Sequence, residues 1–234
     1  MKLPKFDMPK FEVELPSTGK KVKFRPFTVK EEKILLIAKE SGDYEQILLA
    51  TEQIIENCVE GVNVSKLTTF DIEFLFINIR AKSINNVIEF SIKDEETEEK
   101  INMTFNIDDL RVFIPDGHTK NIAIEEGYAM IMRYPSVKEL LIFKDMKEDN
   151  QQDIFFKTMV SCIDKVVNGD QIYNVDDFTE GEVTEFVESL PGSAVDSIRN
   201  FFETMPVLRY VTKYKRSDGI EKQFVVQGLD SFFI

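Results

Sequence analysis

Apolar and charged residues alternate along Phe11-Glu12-Val13-Glu14-Leu15 and again along Lys21-Val22-Lys23-Phe24, on either side of Pro16-Ser17-Thr18-Gly19. Period-two alternation around a break rich in turn formers predicts a β-hairpin. Thr28-x-x-Glu31 follows, a spacing in which hydroxyl and carboxylate satisfy the first free amides of a helix. A helical apolar pattern then runs to Ile54-Ile55-Glu56-Asn57-Cys58-Val59. After a polar loop, Gly61 to Ser65, a second helix start stands at Thr68-Thr69-Phe70-Asp71, and a strand pair is predicted over Val87 to Lys93 and Lys100 to Ile107.

The same order recurs further along the chain. Arg25-Pro26-Phe27-Thr28-Val29-Lys30-Glu31-Glu32 is matched by Arg133-Tyr134-Pro135-Ser136-Val137-Lys138-Glu139-Leu140, the arginines lying 133 − 25 = 108 positions apart. Strand-like Asn121 to Ile124 and Tyr128 to Met132 precede the second copy, and Ser136-x-x-Glu139 repeats the cap. Met159-Val160-Ser161-Cys162 answers the end of the first helical stretch, with the cysteine displaced by four residues from the anchor spacing. A polar loop, Asn168 to Asp177, a helix start at Thr179-Glu180-Gly181-Glu182 and a strand pair, Leu208 to Lys215 and Ile220 to Gln227, complete the copy. Arg216-Ser217-Asp218-Gly219 between those strands is an Asp-Gly hairpin signal. The pattern predicts an α+β fold of two related halves, an internal duplication, each half a β-hairpin, a helical segment and a closing β-hairpin. The expected divisions are an N-terminal arm over 1–10, a first repeat over 11–109, a linker over 110–119 and a second repeat over 120–234.

Composition narrows what such a fold does. With 43% hydrophobic residues in 234, the chain can bury a core. Its formal charge of −13 argues against non-specific nucleic-acid binding. The basic groups around Lys20-Lys21-Lys23-Arg25 and Lys213-Lys215-Arg216 read as exposed strand faces. No run approaches the roughly 18 apolar residues that span a bilayer, and Met1-Lys2-Leu3-Pro4-Lys5-Phe6 lacks a signal-peptide core; the expectation is an intracellular chain with no membrane contact. Cys58 and Cys162 read as small core residues, and a single histidine, His118, leaves no recognised Cys/His metal spacing. There are 20 phenylalanines and no tryptophan; Phe70, Phe74 and Phe76, Phe201 and Phe202, and Phe232 and Phe233 form clusters, some of which are expected to face a partner.

Catalytic patterns fare poorly. Leu15-Pro16-Ser17-Thr18-Gly19 resembles a sortase signal but sits in an N-terminal turn, and Thr18-Gly19-Lys20 lacks the length of a phosphate loop. Asn63-Val64-Ser65 and Asn102-Met103-Thr104 fit a glycosylation acceptor, which has no role without secretion. The acidic run Asp94 to Glu99 reads as a solvated turn rather than a calcium loop. Asp108-Asp109, Glu125-Glu126 and Asp176-Asp177 could act as acid and base only if folding paired two of them. His118, on a turn read as exposed, has no serine in a nucleophile-elbow context. No catalytic residue, cofactor, metal or small-molecule substrate is expected; the alternative of a different class is a carboxylate-based hydrolase in the groove between the halves.

The run Pro16-Ser17-Thr18-Gly19-Lys20, Phe24 to Leu36, Phe70-Asp71-Ile72-Glu73-Phe74-Leu75-Phe76 and Ile79-Arg80-Ala81-Lys82-Ser83 resembles the baseplate hub subunit family of T4-type contractile-tailed bacteriophages. Phe201-Phe202-Glu203-Thr204-Met205-Pro206 and Gly228-Leu229-Asp230-Ser231-Phe232-Phe233 are similar too. The resemblance implies a non-enzymatic part in building the tail baseplate within the infected cell's cytoplasm, with other hub or tail proteins as partners. A virion subunit and a transient assembly chaperone both remain open. Candidate partner-binding residues are Phe6, Met8 and Phe11 of the arm, either a frayed terminus or a segment that orders on docking; Arg25 and Arg133, either interface residues or local brackets; and Phe232, Phe233 and Ile234, which either fold back or dock.

Overall fold

The computed structural model describes residues 6–125, 127–137, 139 and 151–227. Among them are six helices and twelve strands in four small antiparallel sheets, an α+β fold. The chain divides into two compact units, unit 1 formed by 1–113 with 207–234 and unit 2 by 114–206.

In unit 1, β1 (Phe11–Glu14) and β2 (Lys21–Phe24) form the expected hairpin, and β3 (Val59–Glu60) adds to it beside β2. Gly19 at φ +69° closes the turn, a conformation that a side chain would strain. Helix α1 (Val29–Ser41) ends where Gly42 turns left-handed at φ +65°. Asp43 then caps α2 (Tyr44–Cys58), accepting from the Glu45 amide at 3.0 Å. Helix α3 (Thr69–Ser83) has buried apolar residues on more than one face, as befits a central helix, with Phe70, Ile72, Leu75, Phe76, Ile77 and Ile79 buried. Its cap residue Thr68 bonds Asp71, and Asp71 also accepts the Ser17 amide of the first hairpin turn at 3.0 Å. Phe70 and Phe76 therefore belong to the core and not to a partner-facing surface.

Strands β4 (Val87–Lys93) and β5 (Lys100–Asn106) pair over seven residues. The short β6 (Arg111–Phe113) pairs with β11 (Val207–Lys215), which pairs in turn with β12 (Glu221–Gln227). Ile88, Phe90, Met103 and Phe105 share one core with Ile77, Leu208 and Val226. The sequence pattern assigns the C-terminal strand pair to the second half; its apolar face is instead buried in unit 1. The two hairpin tips are locked by polar contacts. Asp94, 1% exposed, accepts from the Glu96 and Thr97 amides, from the Tyr214 hydroxyl at 2.6 Å and from the Lys222 ammonium at 3.4 Å. Arg216 meets Glu96 at 2.7 Å, and Ser217 bonds Glu99. The acidic turn is thus a fastening between hairpins, not only a solvated loop.

In unit 2, β7 (Asn121–Glu125), β8 (Tyr128–Met132), β9 (Ile163–Asn168) and β10 (Gln171–Asn174) form a sheet in the order β10-β9-β8-β7. The polar loop expected from Asn168 to Asp177 contains β10. Asn168-Gly169-Asp170, with Gly169 at φ +56°, makes the hairpin turn. Helices α4 (Gln151–Ser161), α5 (Glu180–Glu188) and α6 (Gly192–Glu203) cover the sheet, burying Met159, Val183, Val187, Ile198 and Phe201 against Ile122, Met130 and Ile163. Phe201 is core as well. Of the helix expected after Ser136, Val137 and Glu139 lie among the described residues.

Ile198, with no exposed surface, should cost about 2–5 kcal/mol when cut to alanine, measured by denaturant unfolding. The Tyr214 hydroxyl holds the Asp94 carboxyl below its ordinary 3.8. Asp94→Asn should lower the thermal midpoint at neutral pH, and the deficit should shrink as the wild-type carboxylate is protonated below about pH 3.8.

Candidate interaction site

Each unit turns from strand to helix through one arginine. In unit 1, Arg25 follows β2 and donates to the Pro26 carbonyl at 2.9 Å, to Glu31 at 3.2 Å and to the Asn57 carbonyl at 3.0 Å. Its amide donates to the Cys58 carbonyl at 2.9 Å. Glu31, only 2% exposed, takes the Thr28 amide at 2.8 Å and hydroxyl at 2.6 Å. Burial pushes this carboxyl up, but the bonds from Arg25 and Thr28 outweigh it and hold the group down at about 2.

Unit 2 repeats the arrangement. Arg133 follows β8, grips both oxygens of Glu139, and donates its amide to the Cys162 carbonyl at 2.8 Å. Glu139 accepts the Ser136 amide at 2.7 Å and hydroxyl at 2.8 Å. The strand leaving the cysteine returns beside the strand that precedes the arginine, Phe24 opposite Val59 in one unit and Met132 opposite Ile163 in the other. Both arginines therefore make local brackets. Burial pushes the Cys58 thiol up to about 11 and the Cys162 thiol up to about 12.

His118, on a turn read as exposed, is half-buried in unit 2. It stacks on Tyr134 and Phe201 with centroids 5.7 and 5.4 Å away. Thr204 donates its hydroxyl to the Asn200 carbonyl at 2.6 Å, so it accepts from His118 Nδ1, and Nε2 accepts from the Tyr134 hydroxyl at 2.9 Å. Burial and the nearby Lys120 hold the imidazole below its usual range, which suits a neutral ring fixed in a stack. Asp108, Asp109, Glu125, Asp176 and Asp177 are exposed, and the buried carboxylates Glu31, Asp71 and Asp94 each accept hydrogen bonds from protein donors. Among the described residues no three His, Cys, Asp or Glu side chains could hold a metal, and no helix is long and apolar enough to cross a membrane.

Of the arm residues, Phe6 is 96% exposed, Met8 is half-buried, and Phe11 lies on β1 against Phe24 with centroids 5.7 Å apart. Phe232, Phe233 and Ile234 lie outside the described residues. The sequence pattern did not reveal an apolar groove of about 380 Å³ in unit 2, between the sheet and α5. Tyr128, Tyr173, Val175, Phe178, Val183 and Phe186 line it, with Glu182 also at its wall. The signal was present in Ile172-Tyr173 and Phe178, apolar residues inside a stretch read as polar.

Two measurements probe the brackets. Glu31→Gln should cost about 1–3 kcal/mol, and Glu139→Gln should act in the same direction. Because the folded Glu31 carboxyl is depressed, its contribution is complete above pH 4.5 and is lost as pH falls toward 2; the Gln variant should lack that part of the acid transition. Cys58 and Cys162, both buried, should react with a thiol reagent at neutral pH only at the rate of unfolding.

Comparison with curated proteins and with solved structures gives no match. A family described as T4 bacteriophage base plate protein matches residues 8–234, nearly the whole length, and the chain belongs to that family.

Proposed function

We propose that this chain is a hub subunit of a contractile-tail baseplate, assembled in the infected cell's cytoplasm and working by protein contacts without catalysis. The observation that carries the reading is family membership across residues 8–234. The polar chemistry supports it. The groups best placed for reactivity, Glu31, Glu139, Asp94 and His118, are each held by internal partners that fix the backbone or another side chain. The thiols are protonated and buried. Sheet edges at β1, β10 and β12 offer strands to which neighbouring chains can add.

The two brackets also support descent of both units from one duplicated module. Its shared part is the hairpin, the arginine, the capped helix and the cysteine with its returning strand. The closing strand pairs fall outside that shared part.

Affinity purification of a tagged chain from infected cells, with mass spectrometry of co-purifying proteins and of mature particles, tests the function. Recovery with hub proteins and presence in particles is the expected result. Recovery with them but absence from particles would make the chain an assembly chaperone. Absence of any tail protein would overturn the baseplate reading.

A further inference from the structure

The groove of unit 2 is apolar, open and set in an acidic surround. Tyr128 and Phe178 are each 44% exposed and Tyr173 is 38% exposed, so large aromatic faces remain in water beside the buried Val183. Between Lys165 and Arg199 the chain has eight Asp or Glu residues and no Lys or Arg. Glu182 stands in the groove wall, and exposed Asp176, Asp177 and Glu185 adjoin the lining residues Val175 and Phe186 in sequence. An occupant matching this surface is apolar, carries an aromatic anchor and is flanked by lysines.

The chain itself contains such a segment. Its first ten residues hold Lys2, Lys5 and Lys10 against one acid, Asp7, and interleave them with Leu3, Phe6 and Met8. Phe6 is 96% exposed, the most exposed large apolar side chain described. Lys10 pairs with Glu60 at 2.6 Å, which fixes where the segment leaves unit 1. Beyond that point nine residues reach about 30 Å when extended. Pro9 fixes its own backbone φ before binding, which lowers the entropy lost on docking.

We infer that the N-terminal arm of one copy docks in the aromatic groove of unit 2 of a second copy, with Phe6 as its anchor and its lysines facing the acidic surround. The contact is heterologous, arm to groove, so one copy can give its arm to a second and receive the arm of a third.

The test uses the purified full chain and a fluorescent peptide covering residues 1–11. Sedimentation velocity should show concentration-dependent association that weakens with added salt and is lost in either Phe6→Glu or Phe178→Glu. The peptide should bind a chain whose own arm carries Phe6→Ser and Met8→Ser, and Phe178→Glu in that chain should weaken binding by about tenfold or more. Phe178 is 44% exposed, and an unchanged circular dichroism spectrum will show that the variant folds. A monomer at all concentrations with no peptide binding would overturn the proposal, as would peptide binding indifferent to Phe178. If Phe178→Glu abolishes capture of another tail protein while the peptide fails to bind, the groove belongs to that partner and the arm assignment is wrong.

Discussion

The corner between strand and helix governs both units. A chain leaving a sheet to begin a helix exposes free amides at the helix start and must also bring the helix's far end back to the sheet. Here one arginine and one glutamate meet both demands. The carboxylate closes the cap, the guanidinium neutralises it, and the arginine's own amide fastens the carbonyl of the distant cysteine. In unit 1 the guanidinium adds a second tie, to the Asn57 carbonyl. Local and long-range order are thereby set at a single point. A pair with a sheltered carboxylate stabilises mainly because removing one partner leaves the other charge unmatched, so its value lies in fixing one arrangement.

That constraint explains what the sequence disclosed. The Arg-Pro and Arg-Tyr-Pro runs with their caps could be read because capping chemistry is local: Thr28 and Glu31, or Ser136 and Glu139, need only three residues of spacing. The strands were legible from alternation, and Asp218-Gly219 marked its hairpin. Membership of strands in a common core was not legible. Whether the apolar face of β11 and β12 covers β4 and β5 depends on contacts more than 100 residues apart, and no local period encodes them. The fastening of Asp94 to Tyr214 was hidden for the same reason, since an acidic turn has the same composition whether water or a second hairpin surrounds it. The groove escaped notice because Tyr173 and Phe178 are spaced across a turn, a strand end and a helix cap, with no single period joining them.

The two units share a corner yet differ in what surrounds it. Unit 1 places an apolar helix, α3, between its helical pair and two hairpins; unit 2 replaces these with a wider sheet and two amphipathic helices. In unit 2 the aromatic stack of His118, Tyr134 and Phe201 joins the residue after Arg133 to α6. The two units thus have the same structural joint and different outward faces, of which the aromatic groove of unit 2 is one.

Strands β6 and β11 set Phe113 directly opposite Val207, with the whole of unit 2 threaded between them. On the ribosome, the apolar sides of β4 and β5 emerge long before the strands that will cover them, and unit 2 can fold in the interval. The last hairpin closes unit 1 only after all of unit 2 has been made. A chain that stops short of β12 therefore lacks part of the apolar cover of unit 1, although every residue of unit 2 has already been made.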